Sequence, residues 1–208
     1  MTPDGLGDVR FIGGGSGAGK STVSRRLAAQ HGLRVVSTEP FSDYVGRAEA
    51  DDAPLLHAFA AMDMDERWVR RSPEVMRDTF HAFHGETFPL VVDDLLALPS
   101  SPPVLVEGFS LLPRLVAPLL TRPDRAVWLL PTPAFRRAAF ESRGSTWDIA
   151  ARTSEPARAL ANLLARDALF TEDLRRETAA LGLATIAVDV SLTVDELTRL
   201  VAVALGLG

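Results

Sequence analysis

The stretch FIGGGSGAGKST, Phe11 to Thr22, constrains the fold more tightly than any other part of the chain. An apolar, β-rich run at Val9–Ile12 stops at three consecutive glycines. Helical spacing begins at Lys20, with Val23, Leu27 and Ala28 on one face and Arg25 and Arg26 off it. A strand that feeds a helix through so short a loop reaches its neighbour by a crossover, which predicts a parallel sheet covered by helices. The glycines let the loop backbone curl until successive N–H groups point inward, and the helix adds its positive end. Such a loop is built to hold an anion.

Gly14 to Ser21 fits G-x4-G-K-[ST], the P-loop pattern, in the strand–loop–helix frame that the pattern requires. The candidate nucleotide-binding residues are Gly14, Gly15, Ser16, Gly17, Ala18, Gly19, Lys20, Ser21 and Thr22. Lys20 is expected to reach the β- and γ-phosphates and the Ser21 hydroxyl to ligate Mg²⁺, which makes ATP and Mg²⁺ the expected cofactors. The lysine itself is informative. Of the 22 Lys plus Arg residues, Lys20 is the single lysine. An ammonium is a compact point charge and a guanidinium a wide planar fork. A chain that uses arginine everywhere else keeps its one lysine where the fork would not fit.

Bulk composition narrows the remaining classes. At 208 residues with 47% hydrophobic and 24% charged, the chain suits one globular domain with a real core. A net charge of −5 gives no footprint for coating nucleic acid. The absence of cysteine excludes disulfides, thiol catalysis and cysteine-ligated metals. The opening MTPDGLGDVR has no basic-then-apolar signal pattern, and the apolar runs are too short to span a bilayer. A cytoplasmic location, no membrane or nucleic-acid partner, and a monomer or homodimer are the resulting expectations.

Four more strand candidates follow: LRVVS (33–37), PPVLVEG (102–108), RAVWLL (125–130) and LATIAVDV (183–190). Their nearly pure apolar character suits strands buried on both faces. Helices are expected at SLLPRLVAPLL, at about 133–143, from SEP to Leu181, and after Thr193. Residues 40–102 show helical patterns and no clear strand. The expected architecture is a three-layer α/β/α fold with a five-stranded parallel sheet and a helical insert at 40–102, in one domain spanning 1–208.

With these residues in hand, the chain resembles the P-loop small-molecule kinases of the nucleoside and nucleotide kinase-like group, nearest to uridine kinase and its relatives. The resemblance covers 8–39 and 103–205. PPVLVEGFSLLPRLV looks like the strand and helix that carry the second acidic motif, and VDVSLTVDEL is similar to the turn beside the nucleotide base. By that likeness Glu107 ends the Walker B strand and serves Mg²⁺. Glu39, in VSTEPFSDY, occupies the place of the aspartate base after the second strand, one methylene longer, and Asp43 is the rival base. The resemblance implies the P-loop kinase strand order 2-3-1-4-5, an acceptor-binding role for the insert at 40–102, a lid at 143–154, and a kinase moving the γ-phosphoryl group to a hydroxyl of a small metabolite.

Other residues carry both a functional and a plain reading. Arg136, Arg137, Arg143 and Arg152 flank the lid, where arginine stabilises a transferring phosphoryl group, and Arg143 and Arg152 are the first candidates. Trp147 stacks on a base or anchors its loop. His81, His84 and Glu86 form an acceptor or metal site or are surface groups. Arg67, Arg70 and Arg71 grip an anionic acceptor, as a kinase of nucleoside monophosphates needs, or are a solvated helix face. A non-catalytic nucleotide-binding protein is the alternative to a kinase. A base-reading N/T-K-x-D motif is impossible after Lys20, no LSGGQ-like signature is present, and the chain is short for an AAA+ module.

Overall fold

The computed structural model describes residues 6–38, 41–142 and 149–208. The five apolar runs form β1 (Arg10–Gly14), β2 (Arg34–Ser37), β3 (Val104–Glu107), β4 (Ala126–Pro131) and β5 (Thr185–Val188). They make one all-parallel sheet in the order β2-β3-β1-β4-β5. Successive side chains of a strand point to opposite faces. Phe11, Val106, Trp128 and Leu130 accordingly enter one core, and Ile12, Leu105, Val127 and Leu129 enter the other. The second core is closed by α1 (Lys20–His31) and α11 (Val194–Ala204), through Val23, Leu27, Leu197 and Val201. The first and larger core lies under α10 (Pro156–Ala180) and the helices inserted between β2 and β3.

Burial of the strands is less even than their composition predicts. β1, β3 and β4 are central and almost wholly buried. β2 and β5 are the edges, and their residues are mostly half-buried or exposed. The run SLLPRLVAPLL also departs from expectation. It forms only one turn, α8 (Pro113–Val116), followed by a 3₁₀ turn at Ala117–Leu119. Pro118 removes a backbone donor and clashes with the preceding turn, so the helix stops.

The insert contains α2 (Phe41–Arg47), α3 (Pro54–Ala61), α4 (Met64–Trp68), α5 (Pro73–Asp78), α6 (His81–His84) and α7 (Phe88–Leu96). Short helices of this kind need their end groups satisfied by side chains. Asp63 caps α4 by accepting from Glu66 N at 2.7 Å, and Ser72 caps α5 by accepting from Val75 N at 3.3 Å. Glu86 accepts from Leu55 N and Leu56 N at 3.0 and 2.8 Å, so it serves the start of α3. His81 is buried and His84 exposed, with His84 Nε2 2.8 Å from the Asp78 carbonyl oxygen. No cluster of three or more His, Asp or Glu residues among those described is arranged to hold a metal. Among the described residues, no helix is long and apolar enough to cross a membrane.

Candidate functional site

Everything that matters for phosphate lies at the carboxyl ends of the central strands, where α/β sheets place ligands. β1 and β4 run in register to Gly14 and Leu129, and the Gly15 N–H donates to the Leu129 carbonyl at 2.9 Å. Gly14 has φ +124°, and a Cβ there would sit 2.1 Å from that same carbonyl oxygen, so no side chain is tolerated. The loop is pressed against β4 and then turns away from it. No carbonyl among the described residues pairs with the N–H groups of Ser16, Gly17 or Gly19, which remain as donors for an anion.

Lys20 opens α1 and is only 5% exposed. Its ammonium donates to the carbonyl oxygens of Gly14 and Gly15 at 3.2 and 2.9 Å and lies 5.9 Å from the Phe109 ring centre. A small, three-donor head is what this enclosure accommodates. The next residue, Ser21, donates from Oγ to Glu107 Oε2 at 3.1 Å across 86 residues of sequence. Glu107 is 3% exposed and ends β3 in register with both Ile12 and Ser37. A hydroxyl and a buried carboxylate side by side are hard oxygen donors and fit Mg²⁺, which takes one or two protein oxygens and keeps its waters. The expected metal pair is thus together.

The end of β2 is fastened beside them. Thr38 N donates to the Glu107 carbonyl at 3.0 Å, and the Thr38 and Ser110 hydroxyls are 2.6 Å apart. A Cβ on Gly108 would fall 1.9 Å from Thr38 Oγ1, so the close approach of these strand ends depends on that glycine. Thr38 directly precedes Glu39. Glu39, Arg143 and Trp147 lie outside the described residues. Asp43 is exposed in the first turn of α2, with its neighbour Ser42 as hydrogen-bond donor. Arg152 is exposed in a 3₁₀ turn, Ala150–Arg152, near Arg67. Neither Asp43 nor Arg152 is hydrogen-bonded to the loop or to Glu107 among the described residues.

Two flanking regions complete the site. A cavity of about 480 Å³ opens beside Gly17, Gly19 and Thr22, walled by Phe135 and by Val190 and Leu192 of the turn after β5. That turn is held rigid. Ser191 donates to Asp189, and Thr193 and Glu196 form a reciprocal capping box at the start of α11. On the other flank, α9 (Pro133–Ser142) carries Arg136, which is 7% exposed. Its Nε and Nη2 donate to Asp167 Oδ2 at 2.7 and 2.6 Å, and Arg166 donates to the other oxygen of the same carboxylate. Burial pushes the Asp167 carboxyl up, but Arg166 and then Arg136 outweigh it and hold the group below the usual carboxylate range. The sequence reading missed Asp167 and Arg166. Their spacing carried a signal, because they fall three and four residues after Leu163 on the stripe that continues to Phe170 and Leu174.

The three arginines proposed from MDMDERWVRR are already committed. Arg67 donates to the carbonyls of Phe59 and Ala60 at 3.0 and 2.9 Å and packs on the Phe59 ring. Arg71 donates to the Glu66 and Arg67 carbonyls and to Thr79 Oγ1. Arg70 is exposed between Asp63 and Asp65. They close helix ends and face acids.

No protein-family model matches the sequence, and no relative was found among curated proteins. Solved structures do match. Deoxyadenosine kinase from M. mycoides with bound dATP aligns over 94% of this chain and 98% of its own, with a TM-score of 0.50 and 12% identity. The fold is that of a P-loop kinase. An uncharacterized protein from Eubacterium ventriosum aligns over 95% of this chain and 97% of its own, with a TM-score of 0.41 and 12% identity. The P-loop kinase fold puts the glycine loop at the end of its first strand, which is where Gly14–Lys20 is found.

Proposed function

We propose that this chain is an ATP- and Mg²⁺-dependent kinase that phosphorylates a hydroxyl of a small metabolite, with a nucleoside as the first candidate. The observation that carries the reading is the meeting, at adjoining strand ends, of buried Lys20, the Ser21–Glu107 pair and Thr38, the residue before Glu39. The loop N–H groups and Lys20 hold the β- and γ-phosphates, and Ser21 and Glu107 hold the metal, which supplies charge neutralisation when bound. Glu39 takes the proton of the acceptor hydroxyl as its oxygen bonds to the γ-phosphorus. The bond from that phosphorus to the β–γ bridging oxygen breaks, and ADP leaves. Arg143 and Arg152 are assigned to the segment that closes over the transferring group. The hydrophobic cavity beside Thr22 takes the nucleotide base, with the β5–α11 turn as one wall.

A neutral acceptor is favoured over a nucleoside monophosphate because Arg67 and Arg71 are spent on carbonyl oxygens and Arg70 on acids. The fold neighbour's nucleoside acceptor supports the same choice. We take one chain to suffice for turnover and a cytoplasmic setting for the enzyme. The deciding experiment is single-turnover ADP formation with a panel of nucleosides, sugars and monophosphates, on wild type and Glu39→Gln. A nucleoside should accelerate ADP release in the wild type, and the variant should lose that acceleration while retaining ATP. ATP binding with no accelerating compound would replace the kinase reading with a nucleotide-binding protein.

A further inference from the structure

The buried cluster at the α9–α10 contact holds two guanidiniums against one carboxylate. Arg136, Arg166 and Asp167 are 7%, 6% and 2% exposed. Asp167 uses Oδ2 for Arg136 and Oδ1 for Arg166, and both oxygens are then engaged by charged donors. Among the described residues, this leaves one positive charge over in the cluster. Burial of an uncompensated charge is costly, and interior groups of this kind are normally paired. Arg166 is partly accommodated by the rings of Phe80, Trp68 and Phe83, whose centres lie 4.8, 5.1 and 5.3 Å from its guanidinium carbon. Among the described residues Arg136 has Phe140 at 5.5 Å.

Two atoms of the cluster, Arg136 Nη1 and Arg166 Nη1, are buried with no hydrogen-bond partner among the described residues. The Arg166 guanidinium lies among aromatic rings, whereas Arg136 Nη1 lies beside the glycine loop. A Cβ built on Gly17 would lie 3.1 Å from that same nitrogen, so the guanidinium edge abuts the middle of the glycine loop. The Gly17 N–H is among the loop donors without a carbonyl partner. Two unspent donors, one from the loop and one from α9, are therefore side by side. An orphan buried donor is costly and calls for a reason.

We propose that Arg136 is a further phosphate-binding residue, donating from Nη1 to the phosphate chain held by the loop, and that Asp167 with Arg166 positions it there. The proposal rests on the nucleotide-binding reading of the loop. It differs from the assignment of Arg143 and Arg152 in that Arg136 is fixed in the folded protein before any segment closes. Asp167 holds the Nε and Nη2 edge of the guanidinium, which leaves Nη1 as the one edge free for the anion. The aromatic rings around Arg166 hold the second arginine so that the carboxylate cannot swing away.

The test is direct titration of ATP and ADP into the full chain, with turnover measured in parallel, for wild type, Arg136→Ala, Arg136→Lys and Asp167→Glu. Arg136→Ala leaves Asp167 paired with Arg166 and is expected to retain the wild-type melting behaviour. It should bind both nucleotides at least about tenfold more weakly, the loss of one charge-assisted hydrogen bond. Added guanidinium ion at millimolar concentration should restore part of the affinity, which a merely structural role would not allow. Arg136→Lys keeps the charge but cannot hold Asp167 and a phosphate at once, so it should bind intermediately. Asp167→Glu should raise KM for ATP more than it lowers kcat. If wild type and Arg136→Ala bind alike, or the loss has no response to guanidinium, the proposal is overturned and the loop reading survives. If wild type binds no nucleotide, the loop reading falls first. Should Arg136→Ala unfold, Arg136→Lys with unchanged affinity overturns the proposal on its own.

Discussion

Lys20 and Arg136 are both buried cations at the glycine loop, and they are held in opposite ways. Lys20 is satisfied by carbonyls five and six residues away in its own loop. Arg136 is held through Nε and Nη2 by Asp167, 31 residues away on another helix, which it shares with a second arginine. The first arrangement is local and reassembles wherever the short motif folds. The second exists only once α9, α10 and the inserted helices have packed. The difference separates what the chain inherits from a loop from what it must build by tertiary structure.

Breaking the tertiary arrangement should have the larger cost. Asp167→Asn removes the carboxylate that two buried guanidiniums share and is expected to destabilise the fold by about 3–5 kcal/mol, read by urea unfolding. Replacing Arg136, Arg166 and Asp167 together by Met, Met and Leu should recover that stability or exceed it, because well-packed apolar groups carry no desolvation penalty. Nucleotide affinity should stay low in the triple variant. A triple variant no more stable than Asp167→Asn would show that the cluster is a structural staple.

Breaking the local arrangement should leave stability nearly intact and remove chemistry. Lys20→Arg and Lys20→Ala are each expected to slow phosphoryl transfer by about 10²–10³-fold, as loss of one preorganised donor does. A fork-shaped head that restored more than a tenth of the wild-type rate would refute the argument from geometry. A smaller effect distinguishes the two regions by pH. His81 is buried beside Arg166, and burial first and that charge second push its pKa from 6.5 down to about 4. The folded state therefore binds fewer protons than the unfolded state between these values. Stability should be full above pH 6.5 and fall toward pH 4, by at most roughly 3 kcal/mol. The slope should flatten in His81→Gln, which unfolding curves at several pH values would check.

The same contrast explains what could be read from residues alone. The glycine loop was legible because a short run in its strand–helix frame fixes it, whereas the strand order and the place of Glu107 beside Ser21 were reached only through the resemblance to P-loop kinases. The helix expected over SLLPRLVAPLL was shortened by a proline already visible in the string. The edge positions of β2 and β5 were hidden because an apolar run looks alike at the centre and at the rim of a sheet. Arg166 and Asp167 were overlooked because a charged pair in a long helix normally faces water. Only their phase with Leu163, Phe170 and Leu174 betrays them. Glu86 and Arg67 resisted for a further reason, since their partners are backbone groups that no sequence pattern marks.

The solitary lysine also gives the molecule an unusual chemical handle. A reagent that acylates primary amines has one side-chain target in the whole chain, and that target is 5% exposed inside the loop. Its acylation rate is therefore set by how often the loop opens. An adduct located on the Lys20 peptide, and so separated from one on the α-amino terminus, would report the occupancy of that one site without any residue being introduced to carry the label.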